Sequence, residues 1–273
     1  MRLNQQLAAL SVAALTLALT PLAPAPIGAE TVVASQGSAD FQWRGMVLQG
    51  SAIEIKGVNG DISARPGSGN EVEVTALRTG RRNNPEDVKI EVVQHGDGVT
   101  ICAVYPDVDG RPNECKPGSE GRMNTRNNDV KVSFTVLVPS GVRFIGKTVN
   151  GDVTAESMAS PVAIKTVNGS ATFSTSAHGE ASTVNGSITG TLGSSAWSDT
   201  LSFKTVNGSI TLDLPGDANT ELRAATVNGD ISSDFPITVS GRLNPRRLNG
   251  TIGGGGRTLE LETVNGSVKL LRR

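Results

Sequence analysis

Thr148-Val149-Asn150-Gly151-Asp152-Val153 is one of a series of closely related six-residue phrases in this chain. The phrase has the form Thr-Val-Asn-Gly-(Ser/Asp)-(Ile/Val/Ala), and a worn copy runs from Arg247 to Ile252 and an outlying copy from Gly57 to Ile62. Further full copies begin at Thr166, Thr183, Thr205, Thr226 and Thr263. From Asn150 onward the asparagines are 18, 17, 22, 21, 21 and 16 residues apart. A short period maintained over this length indicates a repeat architecture.

The residue types of the phrase predict a turn between two strands. Asn-Gly is a strong turn signal, because both residues accept positive φ with little steric penalty. The next residue is always Asp, Ser or Thr, whose small side chains hydrogen-bond nearby backbone groups. Apolar residues flank these positions and indicate a strand on each side. The predicted structural turns are Asn59, Gly60, Asn150, Gly151, Asn168, Gly169, Asn185, Gly186, Asn207, Gly208, Asn228, Gly229, Asn249, Gly250, Asn265 and Gly266.

Two all-β architectures fit such a series of turns. If Asn168-Gly169 closed a two-residue hairpin, the flanking residues would form an acceptable two-faced pair of strands, so an antiparallel meander of hairpins is the alternative. A meander does not explain why successive turns share one sequence. In a parallel β-solenoid each phrase lies about 4.8 Å above the previous one, so identical residues stack on each other. We therefore predict a β-solenoid built on the repeated turns.

The first 29 residues have the features of a signal peptide. Arg2 provides the positive start, and the apolar run from Leu7 to Leu19 is followed by prolines. The run is too short to span a membrane, and we predict cleavage after Ala29, with an uncleaved N-terminal anchor as the alternative. No later stretch is long enough to be a transmembrane segment. The mature protein is therefore predicted to be exported, to the periplasm, the cell surface or the medium.

The mature chain divides into two regions with different sequence patterns. Residues 30–145, which include the first turn phrase, contain strictly alternating stretches at 71–77, 88–92 and 130–138. Such alternation is typical of half-buried strands, and we predict an antiparallel β-sheet that flanks the solenoid. These strands form an insertion between the first phrase and the others. Residues 146–273 are the predicted β-repeat array, whose connecting segments vary in length.

Cys102 and Cys115 are the only cysteines in the chain. An even pair across a turn-rich loop of an exported chain predicts a disulfide. The alternatives are two free thiols or a redox pair, although the spacing is not Cys-x-x-Cys.

No residue set points to catalysis, a cofactor or a metal. Without residues 1–29 the chain carries 24 basic and 26 acidic residues, so there is no basic excess for binding nucleic acid. His95 and His178 lie in separate turn regions, without a converging set of metal ligands. Asp107-Val108-Asp109-Gly110 resembles the start of a calcium loop, but Arg111 occupies a position where an oxygen ligand belongs.

A polysaccharide-acting β-solenoid enzyme is the main alternative function. Such an enzyme needs carboxylates that converge from neighbouring coils. The acidic phrase positions are Asp61, Asp152 and Asp230, and serines occupy the coils between the last two, so we expect the acids to lie coils apart. For glycan binding without cleavage, Trp197 in a variable segment is the candidate aromatic platform.

The Trp43-Arg44-Gly45 strand, the Val-Asn-Gly-Asp-Ile turn at residues 58–62, the alternating strands and the array of Thr-Val-Asn-Gly turns together resemble a bacterial family of β-strand-repeat envelope proteins named putative adhesins. The resemblance covers nearly all of residues 40–273. It implies a non-catalytic, adhesin-like scaffold that presents a Ser/Thr/Asn-rich surface to a protein or glycan partner of the cell envelope. It supplies no catalytic or cofactor-binding residues.

Overall fold

The computed structural model describes residues 40–239 and 244–273, so the predicted signal peptide lies outside the described residues. Their secondary structure is all β apart from one 3-10 turn at Pro85–Asp87. The strands are β1 Asp40–Met46, β2 Ala52–Lys56, β3 Ile62–Pro66, β4 Glu71–Thr79, β5 Lys89–His95, β6 Gly98–Val104, β7 Lys131–Val138, β8 Arg143–Lys147, β9 Val153–Met158, β10 Val162–Lys165, β11 Ala171–Thr175, β12 Gly179–Ser182, β13 Ile188–Leu192, β14 Leu201–Lys204, β15 Ile210–Leu214, β16 Thr220–Ala225, β17 Ile231–Ser233, β18 Ile237–Val239, β19 Arg247–Ile252, β20 Thr258–Glu262 and β21 Val268–Arg272.

The strands form two sheets, and each coil contributes one strand to each. Sheet A has the order β1-β4-β7-β3-β9-β11-β13-β15-β21-β17, and sheet B has the order β18-β19-β16-β20-β14-β12-β10-β8-β2-β6-β5. The phrase lies where the chain leaves sheet B and enters sheet A, as between β8 and β9. Successive coils pair in parallel, as β9 does with β11 and β11 with β13. The predicted β-solenoid is confirmed, and the hairpin meander is wrong for the array.

The core lies between the inner faces of the sheets. Identical positions of successive coils stack in register, so one inner column of sheet A consists of small and β-branched residues. Phe173 of sheet A and Phe203 of sheet B stack with ring centroids 6.0 Å apart. Gly190 makes room for Phe173, because a Cβ on Gly190 would lie 2.5 Å from that ring. The core is thus made of thin layers that contact mainly the layers above and below.

The predicted flanking sheet is divided between the two sheets of the solenoid. In sheet A, β4 pairs antiparallel with both β1 and β7, and β7 continues in parallel onto β3. In sheet B, β5 pairs antiparallel with β6, which continues in parallel onto β2. Asn59 forms a parallel bridge to Asn150, and β3 and β8 pair in parallel with β9 and β2, respectively, so the residues between β3 and β8 are an insertion between adjacent coils. The division of the chain at residues 145 and 146 remains a prediction.

The last coils are not stacked in chain order. β21 lies between β15 and β17, and β20 lies between β14 and β16. The coil that is last in the described chain therefore occupies the penultimate position of the stack. Nothing in the spacing of the phrases distinguishes this arrangement from sequential stacking.

The prediction of a turn at Asn249-Gly250 is wrong. Both residues lie inside β19, which pairs antiparallel with β16 and places Asn249 opposite Arg223. In this worn copy Arg247 replaces the threonine with which the full phrases begin. In the full copies that threonine bonds to the neighbouring rung, and Asn249 does not take part in the asparagine bridges of the described stack.

Candidate functional surface at the repeat corner

The asparagines of the repeat corner, which comprises the phrases between sheets B and A, form a continuous amide ladder. Each Nδ2 donates a hydrogen bond to the Oδ1 of the preceding rung, at 2.7–2.8 Å. All the amides therefore point the same way. In stacking order the ladder consists of Asn59, Asn150, Asn168, Asn185, Asn207, Asn265 and Asn228.

The threonine of each phrase joins neighbouring rungs inside the corner. The Oγ1 of Thr205 donates to the carbonyl of Gly186 at 2.8 Å, and Thr183 makes the same bond to Gly169. Because each threonine binds the glycine of the preceding rung, the first rung does not need one, and Gly57 stands there instead. The same contact is made by the other buried threonines of the array, Thr148, Thr166, Thr226 and Thr263.

Close backbone approach explains why glycine follows each asparagine. A Cβ on Gly186 would lie 1.9 Å from the carbonyl oxygen of Gly169, and Gly208 has the same relation to Gly186. We expected positive φ to be the reason. Gly60, with φ of 121°, meets that expectation, but Gly186 and Gly208 are not among the glycines with positive φ. The requirement in the central rungs is therefore spatial.

The residue after each glycine forms a third ladder. The Oδ1 of Asp61 accepts the N–H of Asp152 at 2.8 Å, and the Oδ1 of Asp152 accepts the N–H of Ser170 at 2.7 Å. We expected all three phrase aspartates to lie in separate, non-adjacent coils. This is wrong for Asp61 and Asp152, because the first two phrases are neighbours in the stack despite the residues inserted between them. Asp230 does lie at the other end, beside Ser267. One oxygen of each of the two adjacent carboxylates is thus engaged with backbone of the next rung.

The valines of the phrase become more exposed along the stack. Val58 in the first rung is buried, whereas Val227 in the last rung is 53% exposed. The valines of the three rungs before the last, Val184, Val206 and Val264, are also exposed. The corner therefore presents an apolar stripe beside the amide ladder in its later rungs.

The outer face of sheet A carries a row of aligned hydroxyls. Parallel register places Thr154, Thr172, Thr189 and Thr211 opposite one another on four neighbouring strands. None of these four hydroxyls has a partner within residues 40–239 and 244–273. The complete hydroxyl row, in sheet order, is Thr75, Thr135, Ser63, Thr154, Thr172, Thr189 and Thr211.

The cysteine pair forms the predicted disulfide, with Cα atoms 5.7 Å apart. It attaches the disulfide loop, residues 106–130, to the end of β6. Asn113 organises this loop, because its Nδ2 donates to the carbonyls of Tyr105 and Asn124 at 3.0 and 2.8 Å.

The remaining candidate residues do not converge. His95 Nε2 contacts Thr100 Oγ1 at 3.0 Å in sheet B, and His178 lies in a different coil. Asp109 Oδ1 forms an ion pair with Arg126 Nη1, at 2.8 Å, within the disulfide loop. Trp197 is only 7% exposed, so it is not the exposed platform that we expected.

A buried polar cluster on sheet B was not predicted. Glu54 is 3% exposed and accepts hydrogen bonds from Lys147 Nζ at 2.6 Å, Thr100 Oγ1 at 2.9 Å and the N–H of Gly118 at 2.9 Å. Burial alone raises the pKa of Glu54, but these bonds outweigh it and the pKa is lowered overall. Lys56 Nζ donates to the carbonyls of Lys116 and Glu120. The cluster therefore fastens the disulfide loop onto sheet B.

Sequence alone contained one signal for this cluster. Strand β2 reads Ala-Ile-Glu-Ile-Lys, which alternates as a half-buried strand does. All five residues are buried, since the disulfide loop covers the polar face. The two charged residues of β2 indicate that a loop covers this face only when the position of the disulfide loop is already known.

A family model described as Toastrack DUF4097 matches residues 10–271. The chain belongs to the Toastrack family. Membership confirms the resemblance to a β-strand-repeat family, and the ladders described above are the repeated contacts of this Toastrack chain. No curated protein matches it.

Two solved structures are similar to the Toastrack chain. A putative cell adhesion protein from Clostridium sporogenes has 10% identity and a TM-score of 0.45, with 86% of this chain and 100% of that chain covered. A putative adhesin from Bacteroides fragilis has 11% identity and a TM-score of 0.34, with 86% and 97% covered. Within the described residues, no helix has the length and apolar character needed to cross a membrane.

Proposed function

We propose that this protein is a non-catalytic, exported, adhesin-like scaffold of the cell envelope that presents its Ser/Thr/Asn-rich surface to a protein or glycan partner. The observation that carries the proposal is the hydroxyl row on sheet A beside the amide ladder. Both repeat at the strand spacing of about 4.8 Å. Such a surface offers one polar group after another to a partner with a similar repeat.

The amide ladder keeps hydrogen-bonding capacity for a partner. An Asn side chain has two N–H donors and two acceptor lone pairs. Asn185 uses one donor toward Asn168 and one acceptor toward Asn207, and it is exposed. The internal bonds fix the orientation of each amide, so a partner would bind without first ordering these side chains.

The engagement of the acidic ladder supports a non-catalytic role at this corner. Asp61 and Asp152 are neighbours, as paired catalytic carboxylates would be, but each holds the backbone of the next rung. Screening the purified protein against peptidoglycan, pectin and alginate fragments tests this part of the proposal. Reproducible turnover that disappears in a single carboxylate variant would overturn it.

Binding is tested with a bulky residue in the hydroxyl row. Thr189→Tyr places an aromatic side chain on the row at a position where strands accept it. Thr238→Tyr on β18 of sheet B is the matched control, since Thr238 is also an exposed strand residue. We expect binding to purified peptidoglycan to be lost in T189Y and kept in T238Y. Equal binding by the two variants would contradict the proposal that the hydroxyl row binds the partner.

Export is tested by cell fractionation with a C-terminal epitope tag. Mature protein that begins near Glu30 in the periplasm, at the surface or in the medium is the expected result. Full-length protein confined to the cytoplasm would contradict the proposal.

A further inference from the structure

A groove crosses the outer face of sheet B, on the opposite side of the molecule's core from the hydroxyl row. Two adjoining cavities, of about 270 Å³ and about 260 Å³, share Ile145, Ala163 and Glu180 in their walls. These residues belong to β8, β10 and β12, which lie side by side, and the groove continues to β14. It therefore spans three strand spacings, or about 14 Å.

Both ends of this groove are bordered by segments outside the repeat. Lys147 lines one end, where its Nζ donates to the carbonyl of Gly118 in the disulfide loop at 2.9 Å. Trp197 lines the other end, in the connection between β13 and β14. Trp197 is 7% exposed, and its Nε1–H has no hydrogen-bond partner in the described part of the chain.

Cations lie at both ends of the strands that line the groove. Lys147 is paired with Glu54, and Lys204 is paired with Glu260 and Glu262. Arg143 and Lys165 are exposed on neighbouring strands, and neither makes an ion pair within residues 40–239 and 244–273. Their charges are available to an anionic ligand.

The other groups in the groove suit a sugar chain better than a peptide. An extended peptide binds a sheet by pairing its backbone with a free edge, and this groove lies on a sheet face whose backbone is already paired. Ile145 and Ala163 give an apolar floor for the C–H face of a sugar ring. Glu180 and Asp199 line the groove and can accept hydrogen bonds from sugar hydroxyls.

We propose that this groove binds a segment of an acidic polysaccharide, with Arg143 and Lys165 contacting carboxylates of different, non-adjacent sugar residues. The site is separate from the repeat corner, and it rests on the proposed function only in requiring that the chain is exported, where such polymers occur. Ile145 and Ala163 support the rings, while Glu180 and Asp199 accept hydroxyl protons.

The test compares polygalacturonate oligomers with the same oligomers methyl-esterified, which removes their charge. Binding of the purified protein is measured by calorimetry at fixed ionic strength. We expect the wild type to bind the acidic oligomer at least about tenfold more tightly than the ester, since charge-assisted hydrogen bonds of this kind discriminate by about that factor. Lys165→Gln and Arg143→Gln should each weaken binding of the acidic oligomer about tenfold and leave binding of the ester unchanged.

Lys131→Gln on sheet A is the matched control, because it removes one exposed positive charge far from the groove. It should bind as the wild type does. Equal binding of acid and ester, no binding of either, or equal losses in K165Q and K131Q would overturn the proposal. T189Y should still bind polygalacturonate, so a failure of the hydroxyl row and a failure of the groove are distinguishable.

Discussion

Each coil turns twice, and the two corners behave differently. The repeat corner makes the same amide, threonine and glycine contacts in every rung after the first. The variable corner, where the chain returns from sheet A to sheet B, has connections at residues 159–161, 176–178, 193–200 and 215–219. Contacts between equivalent residues require identical sequence and local geometry, whereas a connection at the surface tolerates changes in length. The repeat corner therefore holds the stack together. The variable corner tolerates insertions, and one of these places Trp197 beside the groove.

The sharpest way to test the role of the repeat corner is to add a β-branched side chain there and, as a comparison, in the loop between β19 and β20. Gly186→Val should lower the free energy of unfolding by at least about 3 kcal/mol, because its Cβ would overlap the carbonyl oxygen of Gly169. Gly254→Val is the control, since its Cβ would meet only Asn219 Oδ1 at 3.4 Å. Urea midpoints and hydrogen exchange by fragment measure the effect.

Loss of protection in G186V should spread to the neighbouring coils, because each coil buries its faces against the next. Equal midpoints for the two variants, or a loss of protection confined to Gly186, would show that the repeat corner does not hold the stack together.

The disulfide is expected to have the next largest effect. Replacing Cys102 and Cys115 by serine should lower the free energy of unfolding by about 3 kcal/mol, because the bridge restricts the unfolded loop between them. Intact mass before and after reduction and alkylation, together with urea midpoints, measures both the bridge and its contribution. Two thiols that react without reductant would show that the loop is held by other contacts.

Glu54 provides a pH test of the same loop. Its folded-state pKa lies below the ordinary value, so its contribution to stability is complete above the ordinary carboxyl pKa and is lost as pH falls through the lowered one. Glu54→Gln should lower the free energy of unfolding at pH 7 by about 2 kcal/mol, since the bonds to Lys147 and Gly118 lose their charge. It should also make the free energy of unfolding depend less on pH in the acidic range. Urea midpoints between pH 3 and pH 7 measure this effect. An unchanged pH dependence would show that Glu54 gains nothing from its ionised form in the fold.

The smallest effect expected is that of one threonine in the repeat corner. Thr205→Val keeps the shape but removes the hydrogen bond to the Gly186 carbonyl, at about 1 kcal/mol. Thr172→Val changes an exposed hydroxyl of the same array without a partner in the described chain and should stay within about 0.5 kcal/mol. Differential urea midpoints of the two variants decide whether the buried hydroxyl stabilises the stack.

Short-range patterns were enough to predict the coils. A phrase such as Thr183–Ile188 predicts its corner because the contacts that shape it lie within one rung and its neighbours. The β-solenoid, the insertion after Asn59 and the disulfide follow from this kind of information. Partner choice between distant strands does not, so the position of β21 between β15 and β17 could not be read from spacing.

The candidate binding residues were only partly predictable for the same reason. The Ser/Thr/Asn-rich surface follows directly from the repeated phrase and the alternation after it. The groove requires Lys165 of one coil, Arg143 of another and Trp197 of a variable connection to be placed together. Trp197 was singled out by its residue type, but its burial depends on how that connection folds against sheet B.

The coil of β20 and β21, which lies between two coils that precede it in the chain, sets an order of assembly during synthesis. Residues 258–272 separate the rung of Asn207 from the rung of Asn228, so Asn228 has no amide to bind until Asn265 has emerged. The earlier coils can add one at a time as the chain appears, but the last two must dock together. A ribosome or a translocation channel that releases the chain slowly would therefore hold the end of the stack open until its final coil is free.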